Sequence, residues 1–151
     1  MAPLGVLNGV EYVDSNSGKT VFSNYWPGSN NVSVDTNHPV KAFVFDNPMQ
    51  LFTVVADGTN TDRATALADV FSNASMASVN NGSTNTGQSS DMLDISTAAT
   101  TNNLDVRIVG LYEDDANVDY SAVGHQYIVR LLGHFNSGTC AAVGTLAHTG
   151  I

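Results

Sequence analysis

Val10-Glu11-Tyr12-Val13-Asp14-Ser15-Asn16-Ser17-Gly18-Lys19-Thr20-Val21-Phe22 decides the fold class. Val10, Tyr12 and Val13 are strand formers. Asp14 to Gly18 is a run of residues that favour turns, because short polar side chains bond to nearby backbone and glycine tolerates unusual dihedrals. Thr20, Val21 and Phe22 then resume the β pattern. The stretch therefore predicts a hairpin over Gly5 to Tyr25. Asn24-Tyr25-Trp26-Pro27-Gly28 ends it, since proline lacks a ladder donor and Pro-Gly favours a turn.

The rest of the chain repeats this short-strand grammar. Ser29 to His38 is polar and reads as irregular. Val40 to Phe45 alternates, with Val40, Ala42 and Val44 on one face and Lys41, Phe43 and Phe45 on the other. Leu51 to Ala56 is nearly continuous apolar sequence and predicts a buried strand. Asn103 to Tyr112 and Val123 to His134 predict two more strands, and Met92, Leu93 and Ile95 a short one. One segment looks helical. Thr61-Asp62 can cap, and Ala64, Leu67, Ala68 and Phe71 recur on one face. Ser75 to Ser90 is the most polar stretch and reads as an exposed loop. The sum is an all-β fold: a small β-barrel or sandwich with one short helix. Three regions follow: an N-terminal hairpin or arm over 1–38, a β-rich core over 39–137 and a C-terminal tail over 138–151.

Composition narrows the function. The chain has 151 residues, enough for one domain. It carries 14 acidic against 5 basic residues, a formal charge of −9. Such a surface repels phosphate backbones and anionic lipid, so neither a nucleic acid nor a membrane is the expected partner. Asn, Ser and Thr together make up 44 residues, so polarity comes from uncharged groups. Cys140 is the only cysteine, which excludes an internal disulfide and reads as an inert thiol. No apolar run reaches the roughly 20 residues that span a bilayer. The start, Met1-Ala2-Pro3-Leu4-Gly5, has no signal-peptide pattern, and synthesis in a reducing cytoplasm is expected.

Residue patterns for chemistry are sparse. His125 and His134 are an odd number of positions apart on one expected strand, hence on opposite faces, and cannot share a metal. His38 and His148 fall in a loop and the tail. Glu113, Asp114, Asp115 and Asp119 are the densest acids, without the alternate spacing and glycine of a calcium loop. No GxSxG elbow or phosphate-binding glycine loop occurs. The expectation is a protein that is not an enzyme, with no cofactor, no metal and no catalytic residue. One segment stands apart: Phe22, Tyr25, Trp26 and Pro27 put three aromatics, including the only tryptophan, in five residues. Tyr and Trp are enriched at interface hot spots, so these four are the candidate interface residues, with a simple plug of the fold as the alternative for Trp26.

Val21-Phe22-Ser23-Asn24-Tyr25-Trp26-Pro27 also resembles the VFSxYWPxG segment of tailed-phage virion proteins of the capsid decoration, or cement, type. Gly5 to Tyr12 is similar to the strand those proteins place just before it. Val44 to Gly58 (VFDNPMQLFTVVADG), Asn81 to Asp94 (NGSTNTGQSSDMLD), Leu104 to Gly110 (LDVRIVG) and Gly124 to Phe135 continue the likeness in order, over roughly residues 5 to 135. The resemblance implies a structural protein on the capsid exterior of the virion, made in the host cytoplasm. It would bind the major capsid protein shell and stabilise the head. It implies a homo-oligomer, a homotrimer first and a dimer second, and supplies no catalytic residues. A tail, head-fibre or adhesin-like virion module is the alternative, with the Ser75 to Ser90 loop as its recognition tip.

Overall fold

The computed structural model describes residues 3–78, 82–101 and 104–136. Eight strands and one helix follow in order: β1 (Val6–Val13), β2 (Thr20–Ser23), β3 (Lys41–Phe45), β4 (Leu51–Val55), α1 (Arg63–Ala68), β5 (Asn73–Ser78), β6 (Asp91–Ala99), β7 (Val106–Leu111) and β8 (Gln126–Leu131). All strand pairs are antiparallel. They form two sheets, β2-β1-β3 and β4-β8-β7-β5-β6. The fold is all-β, but it is not one closed barrel.

The first hairpin forms where the turn residues place it. Val10 pairs with Ser23 and Val13 with Thr20. The Asp14 carboxylate accepts bonds from the Asn16 and Ser17 amides and the Ser17 hydroxyl, and its own amide and carbonyl close the turn on Lys19 and Gly18. β3 then joins the other side of β1, from Glu11–Lys41 to Val6–Phe45, with a bulge between Leu7 and Gly9. The sheet therefore changes after Phe45, beyond the expected division at residue 38. Gly5 is required here: a Cβ on it would lie 2.0 Å from the Phe45 carbonyl oxygen.

The five-stranded sheet holds the core. Val106 and Ile108 of β7, Tyr127 and Val129 of β8, Leu93 of β6 and Ala74 of β5 are buried together with Ala56, Leu111 and Tyr120. Each large apolar side chain so removed from water contributes about 1.5–3 kcal/mol. The sheet curls until its two edges meet. Ala56, just past β4, forms a single parallel bridge with Leu93 of β6, and the Asp57 amide donates to the Leu93 carbonyl at 3.0 Å. This one bridge is the only seam among the described residues, so closure is partial.

Several elements differ from expectation. β4 is not uniformly buried; Leu51 and Thr53 face outward. β6 is longer than expected, and β8 is shorter, leaving His125 and His134 beyond its ends. Ser75 to Ser78, expected in a loop, belong to β5 between β7 and β6. The helix is where Asp62 caps it, through a 2.8 Å bond from the Thr65 amide, but its buried residue is Ala66. The predicted apolar face, Ala64, Leu67, Ala68 and Phe71, looks to solvent. A methyl group is what fits against β7 at this close packing, so the smaller residue points in. The tail over 138–151, with Cys140 and His148, lies outside the described residues.

Candidate interaction surface

The two faces of the β2-β1-β3 sheet have different fates. Cross-strand partners in an antiparallel pair share a face. Val10, Tyr12, Val21 and Val44 therefore lie on one face, and Val10 and Tyr12 are buried. Trp26 closes this side by an edge-to-face contact with Tyr12, ring centroids 5.9 Å apart. The other face carries Val6, Phe22, Phe43 and Phe45, which are 39%, 68%, 45% and 49% exposed. Phe43 lies opposite Gly9, which carries no side chain on this face. Beside the phenylalanines, Glu11 accepts a 2.9 Å salt bridge from Lys41 Nζ across the strands. Phe22, Glu11 and Lys41 form one row across the sheet.

Among the described residues no strand of this sheet pairs with a strand of the other. The link runs through loops. Asn24 Nδ2 donates to the Thr86 carbonyl at 2.6 Å, and the Phe135 amide to the Pro3 carbonyl at 2.9 Å. Gly87, at φ 71°, gives the 82–90 segment its turn against Asn24. That segment is thus tied to the small sheet at Asn24.

The four aromatic-segment residues divide accordingly. Phe22 belongs to the open face. Trp26 sits on the closed face yet remains 37% exposed, and Tyr25 and Pro27 are half-buried beside it. The structure brings Phe22 together with Val6, Phe43 and Phe45, which sequence reasoning missed as surface residues. Their signal was the Lys41/Phe43/Phe45 alternation: a face with a lysine on it is seldom a core face.

The other candidates are structural. His125 is buried between Tyr120 and Tyr127, and its Nδ1 donates to the Ala122 carbonyl at 3.2 Å. His134 is buried too and accepts from the Asn136 amide through Nδ1. The Tyr127 hydroxyl donates to Asp69 and accepts from Asn60, and burial pushes the phenol well above its ordinary range, with Asp69 adding to it. In the acidic loop Glu113 pairs with Arg63, and Ser121 holds the Asp119 carboxyl below its usual value. Buried Asn117 pins that loop by donating to the Tyr112 and Gln126 carbonyls. No group of three or more potential metal ligands occurs among the described residues, and none of their helices is long and apolar enough to cross a membrane. Comparison with known family models, curated proteins and solved structures gives no match.

Proposed function

We propose that this chain is a structural protein of the virion exterior, a decoration protein that binds the major capsid protein shell of a tailed phage and stabilises the head. One observation carries the docking part of this reading. Trp26, the only tryptophan, sits against Tyr12 of the three-stranded sheet and keeps 37% of its surface open, which leaves a large aromatic side chain available to a partner. The ordered sequence segments supply the kind of partner. The Tyr25-Trp26-Pro27 ledge is the shell anchor: Trp26 is rigidly seated on Tyr12 and still offers a third of its surface. A rigid, part-exposed aromatic costs little side-chain entropy to bury against a partner.

The test is co-sedimentation of the chain with expanded, decoration-free shells at low and high salt. Saturable binding at a fixed ratio to the shell protein, retained at high salt, is expected for an apolar anchor. Trp26→Ala should weaken that binding at least about tenfold, a larger loss than it causes in folding stability. Absence of binding, or parallel loss of binding and stability, overturns the reading.

A further inference from the structure

We propose that a second copy of this chain covers the Val6/Phe22/Phe43/Phe45 face, sheet on sheet, about a two-fold axis. These four residues leave on the order of 400 Å² of apolar surface open on one flat face. That is at the upper end of what a monomer tolerates. It is also the right size for the apolar centre of an interface burying about 800 Å² per partner. On the opposite face Val10 and Tyr12 are already buried, with Trp26 against Tyr12, so the phenylalanine face is the one left without a layer. Two sheets stack at about 10 Å with interleaved side chains, and a second copy of the same sheet supplies that layer.

Charge selects a second copy over a generic partner. Glu11 and Lys41 lie side by side in one row of the patch, with Phe22 on the far side of Glu11 and Phe43 in the next row along β3. A two-fold axis parallel to the strands, between β1 and β3, sets Lys41 against the partner's Glu11 and the reverse, the self-complementarity an isologous contact needs. The surrounding charges permit the approach. Residues 3–45 carry Glu11, Asp14 and Asp35 against both lysines of the chain, Lys19 and Lys41. Asp46 follows Phe45 directly, and the other ten acidic residues lie beyond it in the chain. Pairing along the open edge of β3 would leave the phenylalanines in water; stacking buries them. The face is used twice over by one symmetry, which favours a two-fold assembly over the three-fold one that the resemblance implies.

Sedimentation velocity of the full chain from about 1 µM to about 100 µM tests this without shells, so its failure is separable from failure of the shell reading. A dimer mass is expected. Phe43→Asp should raise the dissociation constant at least about 100-fold with an unchanged far-ultraviolet spectrum. A second pair of variants covers the case in which Phe43→Asp unfolds. Glu11→Lys and Lys41→Glu should each self-associate about tenfold more weakly, and their mixture should form a heterodimer. A monomer at every concentration, a trimer mass, a dimer indifferent to Phe43→Asp in a folded chain, or no recovery on mixing overturns the proposal.

Discussion

The two sheets use the same alternating grammar to opposite ends. In the five-stranded sheet the large residues of β7 and β8 point into a shared interior, and the outward positions are polar or mixed. In the three-stranded sheet the closed face takes Val10 and Tyr12, while three of the chain's six phenylalanines point away from the molecule. Hydrophobic patterning identifies what a strand buries. It does not identify whether the burying surface belongs to the same chain. A sheet that curls on itself satisfies its own pattern; a flat sheet of three strands leaves one face for something else.

The largest effect that separates them is on stability. Ile108→Ala, at the centre of the closed core, should cost about 3 kcal/mol by urea unfolding. Phe43→Ala in dilute solution should cost under about 1 kcal/mol, because its ring is half in water already. Similar losses for the two would mean that the small sheet is as integral to the fold as the core.

A smaller effect sharpens the interior of the closed sheet. Tyr127→Phe removes the hydroxyl that Asn60 and Asp69 share. Leaving those groups short of a partner should cost about 1–2 kcal/mol, with Phe43→Ala as the comparison. An unchanged unfolding midpoint would show that Asn60 and Asp69 satisfy each other through their own 3.1 Å bond.

The smallest effect is on acid titration. Asp14 and Asp35, on the small sheet's loops, have carboxyls held below the ordinary value: Asp14 by the Ser17 hydroxyl first, Asp35 by the Asn37 amide first. A carboxyl depressed in the folded state adds stability that is present above its unfolded pKa, about 3.9, and lost as pH falls through the folded value. The turn amides of residues 16–18 should therefore lose hydrogen-exchange protection as pH drops below about 4, ahead of β7 and β8. Simultaneous loss in both sheets would mean that they unfold as one unit.

Legibility followed how local the cause was. The β1–β2 hairpin was readable because Asp14 to Gly18 make the turn with their own side chains. The helix start was readable from Asp62 for the same reason. β5 was not: Asn73-Ala74-Ser75-Met76-Ala77-Ser78 has no β-branched or aromatic residue, and it is a strand only because β7 and β6 flank it. The helix face was misread because the closeness of β7 selects Ala66, a distance no periodicity encodes. The aromatic segment was visible as a cluster, but its division between two faces depends on register, Phe22 opposite Glu11 and Val21 opposite Tyr12. Phe43 and Phe45 share a face with Lys41 by alternation; that this face is the open one follows from Trp26 seating on Tyr12 of the other, a contact no alternation encodes.

Trp26 has an optical consequence. It is the only tryptophan in the chain, and it rests on the three-stranded sheet, in contact with Tyr12. The five-stranded sheet buries Tyr120 and Tyr127 but contains no indole. Selective excitation of the indole thus reports on the three-stranded sheet alone, whereas phenol absorbance sums Tyr12 and Tyr25 there with Tyr112, Tyr120 and Tyr127 elsewhere. The protein carries its own label for that sheet, with which docking and dimerisation can be followed in an unmodified sample.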